Sequence, residues 1–260
     1  MRRLAPVALA LIATTSSCVG STGSEVVDFP VFAAGPVDSV AGSPYEFDTS
    51  AGYHVRLDRA VLHIGGVYLN RSRPVQGAQD TPCVLPGVYA AELTSGMDVD
   101  VLSPDLQRFP ALANGTADRA LAGEVWLTGG RVDAAEDSTP ILQFEGAASR
   151  ESLSWRFEGV ITIGTNRLLT PSDPATPGAN PLCKSRIVTP IPIDLTPRDS
   201  GALVVRAVPR VWFDLVDFDQ LEGAQGQGEL LVVPDELEGQ PATTLFQSLR
   251  SVSAYDFVWQ

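Results

Sequence analysis

Two histidines and three groups of carboxylates are the side chains of this chain that could hold a metal or move a proton. His54 and His63 are its only imidazoles. Nine residues apart is an odd spacing, so on one regular strand they point to opposite faces. A turn or bulge near Asp58-Arg59 would bring them to one side, where a two-histidine metal site becomes available. Otherwise one is an exposed strand histidine and the other is satisfied in the core.

Asp98 and Asp100 share a strand face, with Asp105 after the turn at Ser103-Pro104. Asp133, Glu136 and Asp137 crowd a loop behind Gly129-Gly130. Asp214, Asp217, Asp219 and Glu222 follow Trp212-Phe213. Calcium takes six to eight oxygens, often from such loops, so the sequence predicts no cofactor but leaves calcium as the one these groups could serve. None has the EF-hand ligand pattern, and a solvated acidic face explains all three. No G-x-S-x-G, H-E-x-x-H, P-loop or C-x-x-C motif occurs, and Gly223–Gly228 reads as a loop rather than a phosphate cradle. A hydrolytic triad would have to use His54 or His63 from a strand. Only Trp126, Trp155, Trp212 and Trp259 could line a glycosidase cleft, and Trp155 belongs to the core. The sequence therefore predicts no catalytic residues. Asn70-Arg-Ser72 and Asn114-Gly-Thr116 fit the glycosylation acceptor pattern.

The elements that position these groups are strands. Val55 and Leu57 alternate with His54, Arg56 and Asp58, and Ala60–Leu69 is nearly continuous apolar. Further strands are predicted at Gly87–Leu93, Leu121–Thr128, Ile141–Ala147, Leu153–Ile163, Ile187–Leu195, Ala202–Val208 and Glu229–Val233. Leu153–Ile163 places Trp155, Phe157 and Ile161 on one face and Arg156 and Glu158 on the other. Pro190 and Pro192 share one parity, which makes Ile187–Leu195 an edge strand. Leu245, Phe246, Leu249 and Val252 fit a short amphipathic helix, followed by a last strand at Ala254–Trp259. The predicted fold is all-β, a single antiparallel β-sandwich-like domain with a short C-terminal helix.

Composition narrows the partners. There are 31 acidic residues against 18 basic, a net charge of −13. Such a surface repels nucleic acid, whose binding requires Lys and Arg against phosphates. Twenty-three glycines and twenty prolines favour turns over long helices.

Arg2 and Arg3 precede an apolar run from Leu4 to Ala13, and small polar residues lead to Cys18. That is the order of an export signal, and a run of about ten residues is short of the roughly 20 that span a bilayer. With Thr15-Ser16-Ser17-Cys18 it resembles a bacterial lipoprotein signal, although leucine is usual where Thr15 stands. The resemblance covers eighteen residues. It implies that residues 1–17 are removed, that Cys18 is lipidated, and that the protein is held to the envelope by its acyl chains. Val19 rather than aspartate after the cysteine implies the outer membrane. Residues 18–45 then form a lipidated N-terminus and flexible tether, with a strand around Val26–Phe32 as its one ordered part, and 46–260 form the globular body. With Cys18 in the anchor, Cys83 and Cys183 remain as an even pair in an oxidising compartment, which reads as a disulfide. The predicted role is that of an envelope lipoprotein acting as a non-catalytic binding or structural module. Its partners are the bilayer and an envelope protein, met at the loops Gly77–Pro86 and Thr170–Pro181. Calcium or transition-metal binding is the alternative, and a hydrolase comes third.

Overall fold

The protein is described by a computed structural model over residues 24–73, 88–168, 182–225, 230–237 and 239–260. The strands in chain order are β1 (Val26–Ala34), β2 (Tyr45–Asp48), β3 (His54–Ile64), β4 (Gly66–Asn70) and β5 (Tyr89–Leu93). They continue with β6 (Met97–Asp100), β7 (Gln107–Thr116), β8 (Ala120–Trp126), β9 (Leu142–Arg150) and β10 (Leu153–Ile161). The last four are β11 (Ile187–Leu195), β12 (Leu203–Ala207), β13 (Leu231–Val233) and β14 (Tyr255–Trp259). Among the described residues four short helices interrupt them: α1 (Leu182–Arg186), α2 (Pro209–Phe213), α3 (Phe218–Gln225) and α4 (Ala242–Leu249). No helix among the described residues is long and apolar enough to cross a membrane.

The fold is all-β. Eight strands form one sheet in the order β11-β8-β4-β5-β7-β1-β12-β14, and six form the other, β13-β10-β9-β3-β2 with β6 also on β3. Alternation does most of the work. In β10, Trp155, Phe157 and Ile161 are buried while Ser154, Arg156 and Glu158 are exposed. The inner faces meet in one apolar core that includes Phe29, Leu57, Leu62, Val125, Phe144 and Phe157, and α2, α3 and α4 add Trp212, Phe213, Phe218, Phe246 and Leu249. As its prolines require, β11 is an edge strand.

Several expectations need correction. The sheets are not purely antiparallel, because β1 runs parallel to β12 and β10 parallel to β13. Residues 18–45 are not a tether throughout. From Val26 the chain is an interior strand of the larger sheet, held between β7 and β12, because Val27, Phe29, Val31 and Ala33 all face the core. β7 was not expected at all. The helical content is not confined to the C-terminus, since α2 and α3 fill the open side of the core. Residues 1–23, including Cys18, lie outside the described residues, as do Cys83 and the loops 77–86 and 170–181.

Two strands pass from one sheet into the other at a shared corner. β3 becomes β4 across the single residue Gly65, and β5 becomes β6 across Thr94-Ser95-Gly96. Gly65 donates its N–H to the Trp126 carbonyl at 2.8 Å. A Cβ on Gly65 would lie 1.9 Å from the Thr128 carbonyl oxygen. Backbone meets backbone there, so nothing flexible can yield. Gly65→Ala is expected to cost about 2–3 kcal/mol, read as a melting temperature lower by several degrees. An unchanged melt would mean that the corner is looser than this packing.

Candidate functional site

The corner is also where the chemistry-bearing side chains gather. A bulge at Asp58 shifts the β3 register between Leu57 and Arg59 against β9. It flips the parity of the strand, so Val55 and Leu57 face the core before it and Ala60, Leu62 and Ile64 after it. His54 and His63 therefore share the outer face rather than taking opposite ones, and neither is a core histidine. Nine residues of strand still separate them by about 30 Å. They cannot share a metal.

His63 stands opposite Asp98 in the β3–β6 pairing, and its Nδ1 lies 2.7 Å from Asp98 Oδ1. The ring is then oriented by a carboxylate, and Nε2 is left for another partner. It lies 3.2 Å from where a Cβ on Gly96 would stand, beside a cavity of about 370 Å³ lined by His63, Gly65, Thr94, Gly96, Thr128, Gly129 and Gly130. Most of that wall is backbone. Asp137 closes it from behind by accepting from Thr128 Oγ1 at 3.0 Å and from the Gly129 N–H at 3.2 Å. These and the Thr139 contacts hold its carboxyl below the usual range against the opposing effect of burial. Among the described residues no hydroxyl or thiol is bonded to His63. The Ser95 hydroxyl, in the link between β5 and β6, is buried without a partner among the described residues.

The outer face of β8 carries a second constellation away from that corner. Glu124 is fully buried. It accepts from Asn70 Nδ2 at 2.5 Å, Trp126 Nε1 at 3.1 Å and Thr189 Oγ1 at 3.4 Å, and also from Tyr89. Trp126 stacks on Tyr68 at 4.2 Å between centroids, and Tyr68 leans on Tyr89 at 5.1 Å. Desolvation outweighs the donors and raises the Glu124 pKa. Burial likewise raises the Tyr68 and Tyr89 hydroxyls. Asn70 Oδ1 has no partner among the described residues, and Asn70 is too deeply buried to serve as a glycosylation acceptor. The sequence signal for this group was a lone carboxylate inside the apolar run Leu121–Thr128, two residues before a tryptophan.

An acid whose folded pKa is raised contributes fully to stability below its unfolded pKa. That contribution is lost as pH rises toward the folded value. Measured against Glu124→Gln, the wild type should lose stability as pH rises above the ordinary glutamate range. The opposite trend in the two melting series would mean that the donors, not desolvation, dominate at Glu124.

The remaining acidic groups are bound up in the architecture. Asp214 accepts from the Ser50 N–H at 2.8 Å and from its hydroxyl, fixing the β2–β3 turn. Asp217 accepts from Tyr53 Oη at 2.7 Å and Gln220 Nε2 at 2.9 Å. Burial and that bond push the Tyr53 hydroxyl up to about 12. Asp219 pairs with Arg150, which lies over the Tyr53 ring at 4.4 Å, and Glu222 accepts from Trp155 Nε1. Together these residues strap α3 to the hairpins β2–β3 and β9–β10. Asp100 accepts from the Leu102 N–H at 3.0 Å, Asp105 donates its own N–H to Ser103 Oγ, and Asp133 pairs with Arg131. Glu136 lines a small polar cavity of about 240 Å³ with Asp137 and Asp235. His54 contacts Asp48 at 2.9 Å on an exposed edge. Among the described residues no three His, Cys, Asp or Glu side chains converge on a point where a metal could sit. Cys183 is buried at the start of α1 and is disulfide-bonded.

No protein-family model matches the chain, and no curated protein sequence matches it either. Among solved structures, MbnP from Methylosinus trichosporium aligns over 91% of this chain and 99% of its own, at 11% identity and a TM-score of 0.39. At that level the likeness assigns no function.

Proposed function

We propose that the protein is a lipid-anchored, non-catalytic binding module of a bacterial cell envelope. Acylated Cys18 holds it at the outer membrane, a Cys83–Cys183 bridge staples it, and the corner between the sheets takes its ligand or envelope partner. The carrying observation is His63. Its ring is clamped by Asp98 through Nδ1, while Nε2 borders a glycine-walled cavity that Thr94 and Thr128 also line. A ring nitrogen held rigidly over an open polar cavity is equipped to hydrogen-bond a ligand hydroxyl or amine. No nucleophile bonded to it among the described residues points to bond cleavage. Support for an oxidising compartment comes from the bonded state of Cys183.

The His63–Asp98 pair also has the form of a carboxylate-oriented metal ligand, and that favours metal binding as the second reading. Thermal-shift titration of the detergent-solubilised full chain separates the two. A panel of neutral sugars and small amines is expected to include one that raises the melting temperature, and His63→Ala should abolish that shift. A shift with calcium, zinc or copper and none with the organic panel would favour the metal. Turnover of ester or glycoside substrates, lost in His63→Ala, would refute the non-catalytic reading.

A further inference from the structure

We infer that the end of the larger sheet where the chain enters the body is a membrane-facing surface whose partner is the bilayer itself. The inference rests on the Cys18 anchor proposed above. From Cys18 to Ser24 there are six residue steps, which in any conformation reach no further than about 20 Å. A body of this size is on the order of 45 Å across. Whatever surrounds Ser24 is therefore kept close to the headgroups, and the far end of the molecule is kept away.

Described contacts define that surroundings. Ser24 donates to Asp118, the Glu25 carbonyl accepts from the Ala117 N–H at 2.8 Å, and Val26 stands opposite Thr116. At the same end, β4 runs out into Arg71, which pairs with Asp118 and donates its N–H to the Val88 carbonyl at 2.9 Å. β8 begins beside Arg119, which pairs with Asp194 at 2.6 Å. Val26 and Val88 are 67% and 57% exposed there. With Arg71, Arg73 and Arg119 set against Glu25, Asp118 and Asp194, the described residues of this rim are close to neutral on a chain of net charge −13.

The opposite end has the reverse character. β8 carries the chain about 23 Å along its seven residues, to the corner where Asp98, Asp133, Glu136 and Asp137 outnumber Arg131, which pairs with Asp133, and the buried Arg186. Anionic headgroups repel that end. Reach and charge thus select the same orientation, with the neutral, valine-bearing rim against lipid and the His63 cavity turned to the aqueous compartment.

Hydrogen exchange on the full-length acylated protein tests this, comparing phosphatidylethanolamine–phosphatidylglycerol vesicles with detergent micelles. In vesicles, exchange should slow several-fold at residues 71–73 and 117–119 and stay unchanged at 94–96 and 128–130. Arg73→Glu with Arg119→Glu should reduce the rim protection on those vesicles but not on neutral phosphatidylcholine. Protein that pellets with the vesicles yet shows no rim protection, or shows it at the corner, overturns the orientation alone. Protein that does not pellet overturns the anchor and the orientation together.

Discussion

Arg186→Met is expected to lower stability by about 3–5 kcal/mol and the melting temperature by about 10 °C. Arg186 is fully buried. Its Nε and Nη2 donate to the Ile163 carbonyl at 2.8 and 2.6 Å, and Nη1 donates to the carbonyls of Ala134 and Val132 at 2.5 and 3.0 Å. The guanidinium ties the loop after β8 to the end of β10, and the neighbouring Leu127 N–H bonds the Arg186 carbonyl at 2.6 Å. Methionine would fill much of the volume but strand these acceptors without donors. Burial lowers the pKa of the guanidinium, while Asp137 and Asp133 act the other way. Arg186→Lys supplies a charge without the fork and should recover only part of the loss. A melt within about 2 °C of wild type for Arg186→Met would show that water replaces the guanidinium freely.

Phe213→Ala should cost a similar amount, about 3–5 kcal/mol. Phe213 closes the last turn of α2 and is fully buried. Its ring stands edge-on to Phe144 at 5.4 Å and lies near Phe157 at 5.6 Å and Phe47 at 6.5 Å. Alanine would remove the contact by which the helical segment plugs the smaller sheet and would leave a cavity walled by rings fixed in strands. Denaturant titration should show a lower midpoint with an unchanged slope. A loss below about 1 kcal/mol would mean that the rings collapse into the gap.

Single-sided burial explains which elements could be read from the sequence. β10, β11, β14 and α4 each present one apolar face, and each face prints its own period. β7 lacks that signature, since only Phe109 and Ala113 of its ten residues are buried, and Pro110 and Asn114-Gly115 resemble loop punctuation. It is a strand because β1 and β5 pair with it on either side. β1 had the alternation of Val27, Phe29, Val31 and Ala33, but its position beside the signal made it resemble a tether. The site was less legible still. Residue spacing cannot register a bulge at Asp58, and it cannot bring His63 to Asp98 across thirty-five positions of sequence. The bulge belongs to the β3–β9 pairing and the His63–Asp98 contact to the β3–β6 pairing, and sequence periodicity specifies neither. The acidic loop after Trp212 suggested calcium because carboxylates cluster there, whereas their oxygens accept from Ser50, Tyr53, Arg150 and Trp155.

The proposed role depends first on where the mature chain begins. Intact and N-terminal peptide mass spectrometry of the full-length protein, purified from the membranes of a Gram-negative host, measures that directly. The expected mature protein starts at Cys18 and carries the mass of a diacylglyceryl group with an amide-linked acyl chain. An unmodified N-terminus at or beyond Cys18, or an uncleaved chain in the soluble fraction, would contradict it.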